Sequence, residues 1–190
     1  HPANLYGATK MCMEKLIINA NIYSGGRPPL FSCCRYGNVI GSRGSVIPLF
    51  KEQAKQQLFT LTDKHMTRFW ISLPQAAKFI LNTITDMRGG EIFIPKMKSC
   101  LIKDIAVIIA QQTGLPYKIK ETGIRPGEKI HEVLITEDEQ YYVKEFGNRY
   151  VISATTQARS GKPIVYNSST CNMSEKEIKK MIEDYNDLLD

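Results

Sequence analysis

The stretch from Arg35 to Pro48, RYGNVIGSRGSVIP, constrains this chain more than any other. Ahead of it and into it, Leu30 to Tyr36 is an apolar run with two small cysteines, long enough for one buried strand. Gly37, Asn38, Gly41, Ser42, Arg43 and Gly44 then form a turn of glycine and small polar residues. Ser45 is a good N-cap, and Val46 to Gln57 is the predicted helix. Pro48 lies in its first turn, where a missing N–H does little harm. A strand therefore empties through a glycine-rich loop into a helix N-terminus. Glycine lets backbone N–H groups approach a phosphate, and the helix dipole favours an anion there. Arg43 adds a planar fork of donors suited to phosphate oxygens. Glycine placement alone is also compatible with an ordinary strand–turn–helix link.

The 190 residues are enough for one domain, or one and a small appendage, and the apolar share of 43% allows a core. No run approaches the eighteen or so apolar residues of a membrane span, and no signal peptide is recognised. The chain opens at His1 in a polar stretch, which reads as a piece of a longer protein. The five cysteines are scattered without a C-x-x-C spacing, and the three histidines lie far apart. Neither a zinc site nor a disulfide framework is expected, and a reducing cytosol fits best. Cys33 and Cys34 are neighbours in the strand and so face opposite sides. The net charge of +6 comes from dispersed lysines with no basic block, so nucleic acid is not the expected partner. A small anionic substrate accounts for arginines placed beside glycines.

Asn4 to Tyr23 reads as a helix capped by Asn4, with Met13, Leu16, Ile17 and Ala20 as an apolar stripe and Gly25–Gly26 as the stop. Tyr6 and Lys10, four apart, share one face. An ammonium held near a phenol favours the phenolate, which can take a proton from a sugar hydroxyl. The same spacing also occurs on many solvated helix faces. Leu58 to Thr62 reads as a short strand, Gln75 to Met87 as a helix opened by Ser72 and Pro74, Glu91 to Pro95 as a strand. Ile102 to Thr113 is an amphipathic helix closed by Gly114. Strand and helix alternate, which argues for α/β layers. Tyr117 to Thr122 is a half-exposed strand, Arg125–Gly127 a rigid turn, and Lys129 to Leu134 one or two helical turns with His131 packed on a face. Arg125 braced by Pro126 suits a diphosphate clamp, and equally a solvated Arg–Glu surface turn. Thr155 to Met173 reads as an irregular connection, and Ser174 with Glu177 as a capping box for a helix to Leu189.

YGATK, RYGNVIGSRGSV, MTRFWISL, GGEIFIPK and GIRPGEKIHE stand here in one order. Together they resemble the inverting UDP-N-acetylglucosamine 4,6-dehydratases of the pseudaminic acid pathway. These form a polysaccharide biosynthesis family within the extended short-chain dehydrogenase/reductase superfamily. The resemblance covers the whole chain and weakens only around Thr155 to Met173. It implies an α/β fold that is the C-terminal part of a Rossmann-type domain with a smaller α/β substrate-binding region. Residues 1–154 would interleave the two, and 155–190 would be an irregular connection and a C-terminal helix. The implied reaction uses NADP: the sugar is oxidised at position 4, water is lost across positions 5 and 6, the hydride returns at position 6, and position 5 is inverted. Tyr6 and Lys10 would serve the oxidation and the cofactor, and Val39 would meet the nicotinamide. Asn38, the loop Arg43, Gly44, Ser45, Val46 and Ile47, and Arg68, Arg125 and Glu128 would hold the UDP-sugar. Tyr6 fits the short soluble type of the family rather than the membrane-bound type, so a cytoplasmic homo-oligomer without metal or membrane is implied. The family's glycine-rich dinucleotide fingerprint and its Thr-Asp-Lys segment lie upstream of the tyrosine, and neither stands ahead of Tyr6 in this sequence. The C-terminal part of such an enzyme, inactive by itself, is therefore the expectation. A UDP-sugar 4-epimerase, a retaining 4,6-dehydratase and a UDP-sugar-binding module without turnover remain open alternatives.

Overall fold

The computed structural model describes residues 2–42, 44–153, 162–170 and 173–186. In chain order the elements begin with α1 (Leu5–Ser24), β1 (Cys33–Cys34), β2 (Asn38–Val39), α2 (Val46–Lys55), β3 (Leu58–Leu61), β4 (Thr67–Ile71) and α3 (Leu73–Asp86). They continue with β5 (Glu91–Pro95), β6 (Lys98–Leu101), α4 (Ile102–Thr113), β7 (Lys118–Glu121), β8 (Val133–Ile135), β9 (Val143–Phe146), β10 (Arg149–Ser153), β11 (Tyr166–Asn167) and α5 (Glu175–Asn186). The chain divides into two units woven from alternating segments. One comprises His1–Tyr36, Pro74–Lys96 and Val133–Tyr166, the other Gly37–Leu73, Met97–Glu132 and Asn167–Asp190.

In the first unit a four-stranded sheet runs β1-β5-β10-β9, with β1 parallel to β5 and the other pairs antiparallel. Phe79 of α3 packs on Phe93 and Val151, with Cys34 and Met87 at the edge of that cluster. Helix α1 starts where Asn4 caps it, its side-chain oxygen accepting from Gly7 N–H at 2.8 Å. It stops where Gly25 turns left-handed at φ 58°. The expected apolar stripe is present but uncovered: none of the helix residues is buried, and Leu16 is 73% exposed. The cause is that the sheet edge α1 meets is β1, only two residues long. Arg35 ties the unit together. Its Nε and Nη2 grip Glu14 of α1 at 2.5 and 2.7 Å, Nη1 and Nη2 grip Glu139 at 2.8 and 2.6 Å, and Nη1 also donates to Leu134 O at 2.9 Å. All five guanidinium hydrogens are thereby used.

The single strand expected over Leu30 to Tyr36 is instead two short ones. β1 ends at Cys34, and the chain crosses to another sheet as β2, which begins in the predicted turn. Gly37 makes the crossing possible. A Cβ there would collide with Phe69 Cβ and sit 2.8 Å from Phe69 O, so only glycine lets the two backbones meet. Residues 129–134 are not helical. Their backbone serves side chains of β4, and Val133 to Ile135 is strand β8, paired with β11. β4, β6, β9 and β10 lie outside the elements predicted from the sequence.

In the second unit β2 lies parallel to β4 and β4 antiparallel to β6, while β3 pairs in parallel with β7. Helices α2, α4 and α5 enclose the core with these strands: Ile47 and Phe50 from α2, Phe59 and Leu61 from β3, Ile105 and Ile109 from α4, Ile178 and Ile182 from α5. Phe50 meets Phe59 edge-on at 5.8 Å between centroids. Each such side chain contributes on the order of 1.5–3 kcal/mol by leaving water. Helix α4 has the predicted bounds and the Gly114 stop. The Ser174–Glu177 capping box forms, with Ser174 N–H and Oγ both 2.9 Å from Glu177 Oε2. Helix α5 is described as far as Asn186, and the predicted end at Leu189 lies outside the described residues. Of the expected irregular connection, 155–161 and 171–172 also lie outside them. Within its described part sit the short strand β11 and the fully buried Ser168.

Candidate functional site

A cavity of about 430 Å³ opens in the second unit beside the N-terminus of α2. Its wall includes Asn38 of β2, the loop residues Ser42, Gly44 and Ser45, the first turns of α2, Thr60 to Asp63 at the end of β3, Arg68 and Trp70 of β4, and Glu128. The loop folds as two tight steps, Ser42 N–H on Val39 O at 3.2 Å and Ser45 N–H on Ser42 O at 3.0 Å. Gly44 supplies the left-handed residue between them at φ 73°. Ser45 occupies the N-cap position as expected, with extended backbone, yet it makes no capping bond. Its hydroxyl is buried and has no partner among the described residues. The start of α2 thus puts an uncommitted hydroxyl on a cavity wall, beside first-turn N–H groups that have no partner within the helix, which is the chemistry that receives an anion.

Arg68 stands in the same wall. Its Nη1 donates to Thr67 O at 2.7 Å and Ile130 O at 3.1 Å, and its Nη2 to Lys129 O at 2.8 Å. Its Nε lies 3.8 Å from Glu132 Oε1. Burial pulls the guanidinium below its ordinary range, against the opposing fields of Glu132 and Glu128. Burial also pushes the Glu132 carboxyl up, opposed by the Phe69 N–H and by Arg68. Below this, Thr67 Oγ1 bonds His131 Nδ1 at 2.8 Å and Ser168 Oγ at 2.5 Å. His131 is thus a structural partner, though not on a helix face. The Arg125–Gly127 turn forms as predicted: Glu128 N–H bonds Arg125 O at 3.0 Å, and Arg125 N–H bonds Glu128 Oε2 at 3.2 Å. Burial pushes the Cys100 thiol up to about 12, so it stays protonated and acts as apolar filler.

The structure therefore gathers Asn38, Gly44, Ser45, Val46, Arg68 and Glu128 around one cavity. Ile47, the next residue of α2, is wholly buried in the core, so only its backbone is available to a ligand. Arg125 is exposed at its turn, and Val39 is half-buried in β2 opposite Ile71. Arg43 lies outside the described residues. Tyr6 and Lys10 belong to the first unit, on successive turns of α1, with Lys10 Nζ 5.5 Å from the centre of the Tyr6 ring. Tyr6 is 72% exposed, open to a reactant. The sequence reading missed Thr60 of β3 and Thr62 and Asp63 just after it, which could have been found as the polar residues at a strand's C-terminal end.

Strand ends, a glycine turn and a helix N-terminus around such a cavity define an α/β protein of the Rossmann type, with the fold of extended short-chain dehydrogenases/reductases. The chain belongs to the polysaccharide biosynthesis protein family, whose model matches residues 1–154. It is 49% identical over 157 residues to the UDP-N-acetylglucosamine 4,6-dehydratase (inverting) of Campylobacter jejuni, a match covering 80% of this chain and 45% of that protein. It is 35% identical to the UDP-glucose 4-epimerase of Rickettsia felis, over 98% of this chain and 53% of the relative. Among solved structures it is similar to Pen from Bacillus thuringiensis at 37% identity and a TM-score of 0.86, over 97% of this chain and 59% of that one. The chain thus spans about half the length of the curated relatives it matches. No helix among the described residues is long and apolar enough to cross a membrane.

Proposed function

We propose that this chain provides the UDP-sugar-binding part and the tyrosine–lysine pair of an NADP-dependent enzyme that dehydrates UDP-N-acetylglucosamine to a 4-keto-6-deoxy sugar. The observation that carries the reading is the cavity at the start of α2, where the Ser45 hydroxyl and Arg68 stand ready for a diphosphate. The 49% identity to an inverting dehydratase supports the choice of reaction. On this reading Arg43, Arg68 and Arg125 share the phosphate charges, Gly44 to Ile47 offer backbone N–H groups, and Glu128 accepts from a sugar or ribose hydroxyl. Asn38 orients the hexose, and Val39 sets an apolar surface for the nicotinamide. Tyr6 takes the proton of the 4-hydroxyl while Lys10 holds its phenolate. NADP, when bound, supplies the hydride acceptor. The exposed Tyr6–Lys10 pair fits the nicotinamide-ribose end of that cofactor, a phenol and an ammonium on one helix face. The 190 residues contain no G-x-x-G-x-x-G, so its pyrophosphate would be held by residues other than these. The first unit then carries the end of the cofactor sheet and the second the substrate region. Cytoplasmic homo-oligomers belong to the same proposal.

The epimerase likeness favours one second reading, a UDP-sugar 4-epimerase. Mass spectrometry of a full-length enzyme carrying this chain, incubated with NADP and UDP-N-acetylglucosamine, separates the two. A product lighter by one water is expected, and an isomer of unchanged mass would replace the dehydratase with the epimerase. Calorimetry of the 190-residue chain with UDP tests the cavity by itself. Binding without turnover is expected, and absence of heat at millimolar UDP would remove the cavity from the nucleotide site.

A further inference from the structure

We propose that Glu132 is a positioning residue of this cavity: its carboxylate sets the Arg68 guanidinium against the cavity wall. The inference rests on the UDP-sugar reading and adds to it a residue that touches no ligand. Arg68 is held on one side only by carbonyl groups, those of Thr67, Lys129 and Ile130, which use three of its five N–H groups. On the remaining side, among the described residues, the carboxylate within ion-pair distance is that of Glu132, 3.8 Å from Nε. Without it the guanidinium could turn about its stem and still keep part of its carbonyl contacts.

Glu132 is itself fixed at both ends. Its Oε2 accepts from Phe69 N–H at 3.1 Å, so the carboxylate is locked to the strand that carries Arg68. Its own N–H donates to Ser168 Oγ at 2.9 Å, and its carbonyl accepts from Ser168 N–H at 2.9 Å. Ser168 is fully buried and bonds Thr67 as well. The carboxylate therefore has little freedom, which is what a positioning group needs. A neutral amide would serve Phe69 N–H equally well. Burial disfavours the charged form here, so the charge is poorly explained as a source of stability and well explained by the arginine it faces. Arg68 keeps one hydrogen on Nη2 and its Nε–H, and the orientation of the first decides whether it reaches a phosphate oxygen.

The test is a double-mutant cycle read by calorimetry with UDP on the 190-residue chain: the unaltered protein, Glu132→Gln, Arg68→Ala and the two combined. Thermal melting runs alongside. Glu132→Gln is expected to weaken UDP by about tenfold while the melting temperature holds or rises, because the amide keeps the Phe69 bond. In the Arg68→Ala background the same change is expected to do nothing more. Glu132→Asp retracts the charge by one methylene and is expected to fall between. Unchanged affinity in Glu132→Gln, or a loss that adds in full to that of Arg68→Ala, overturns the positioning role while leaving the nucleotide site intact. If the unaltered chain itself fails to bind UDP, the reading beneath falls and this inference with it.

Discussion

Gly37→Ala tests how the chain passes from one sheet to the other. The new Cβ would collide with Phe69 Cβ and lie 2.8 Å from Phe69 O, against roughly 3.4 Å for ordinary contact. Both atoms belong to a strand held on its far side by β6, so β4 cannot retreat freely. The β2–β4 pair must then part by roughly half an ångström or more, and that pair is only two residues long, Asn38 opposite Trp70 and Val39 opposite Ile71. Overpacking of this kind costs about 1–3 kcal/mol, and weakening a short ladder places this case in the upper half of that range. For a chain of this size that is a fall of roughly 4–10 °C in melting temperature. Trp70 is the single tryptophan and sits on the affected strand, 5% exposed, so its fluorescence reports the transition directly. Urea unfolding followed at Trp70 gives the free energy. Because Asn38 also lines the cavity, UDP affinity should fall with it. A Gly37→Ala protein that melts within a degree of the parent and binds UDP equally would refute the claim that close approach, rather than turn flexibility, requires glycine here.

Other substitutions probe the remaining supports. Glu139→Gln removes one arm of the Arg35 clamp and is expected to cost about 2 kcal/mol at neutral pH, measured by urea unfolding. The Arg35 guanidinium and the Thr136 donors, outweighing burial, hold the Glu139 carboxyl at about 2, well below its ordinary value. A depressed carboxyl stabilises above the ordinary carboxylate range, so the difference between parent and Glu139→Gln should shrink as the pH drops toward 2. Ser168→Ala leaves the Glu132 amide and the Thr67 hydroxyl short of a partner inside the second unit and should cost about 1–3 kcal/mol by the same assay. Tyr6→Phe, assayed for turnover in the protein with its cofactor bound, should cut the rate by about two to four orders of magnitude with UDP affinity unchanged.

The elements most legible in the sequence were those closed by local chemistry. Asn4 and Gly25 bracket α1, Gly114 ends α4, and Ser174 with Glu177 opens α5, each through bonds within a few residues. Glu91 to Pro95 was legible because all but its first residue are buried, leaving a continuous apolar run. What was hidden depends on distant partners. β2 exists because Gly37 meets Phe69, thirty-odd residues away in sequence, and no local pattern announces it. Lys129 to Leu134 has helical composition, yet the carbonyls of Lys129 and Ile130 are claimed by Arg68 and the amide of Glu132 by Ser168, so the segment bends at Ile130 and His131 and enters β8 instead of coiling. The apolar stripe on α1 has the right period, but the described chain gives it little to pack against.

The cavity wall was legible in part, through Asn38, Gly44 and Arg68, but the arginines of the chain differ from one another. Three of them, Arg35, Arg68 and Arg125, lie in the motifs that carry the resemblance, yet the structure gives them different work. Arg35 is saturated by two carboxylates and a carbonyl and has no hydrogen left for a ligand. Arg68 has given three hydrogens to the backbone and keeps two. Arg125 is exposed, and the bonds recorded at its turn come from its backbone. A net charge of +6 therefore overstates the positive charge available at the cavity. The chain's own carbonyls and carboxylates compete for the guanidinium groups first. The unpaired hydroxyl of Ser45 has no such competitor among the described residues, and it meets an anion without breaking a bond already made. If the cavity holds the proposed UDP-sugar, neutral donors at one helix end should then anchor its diphosphate, with Arg68 and Arg125 adding to an interaction already begun.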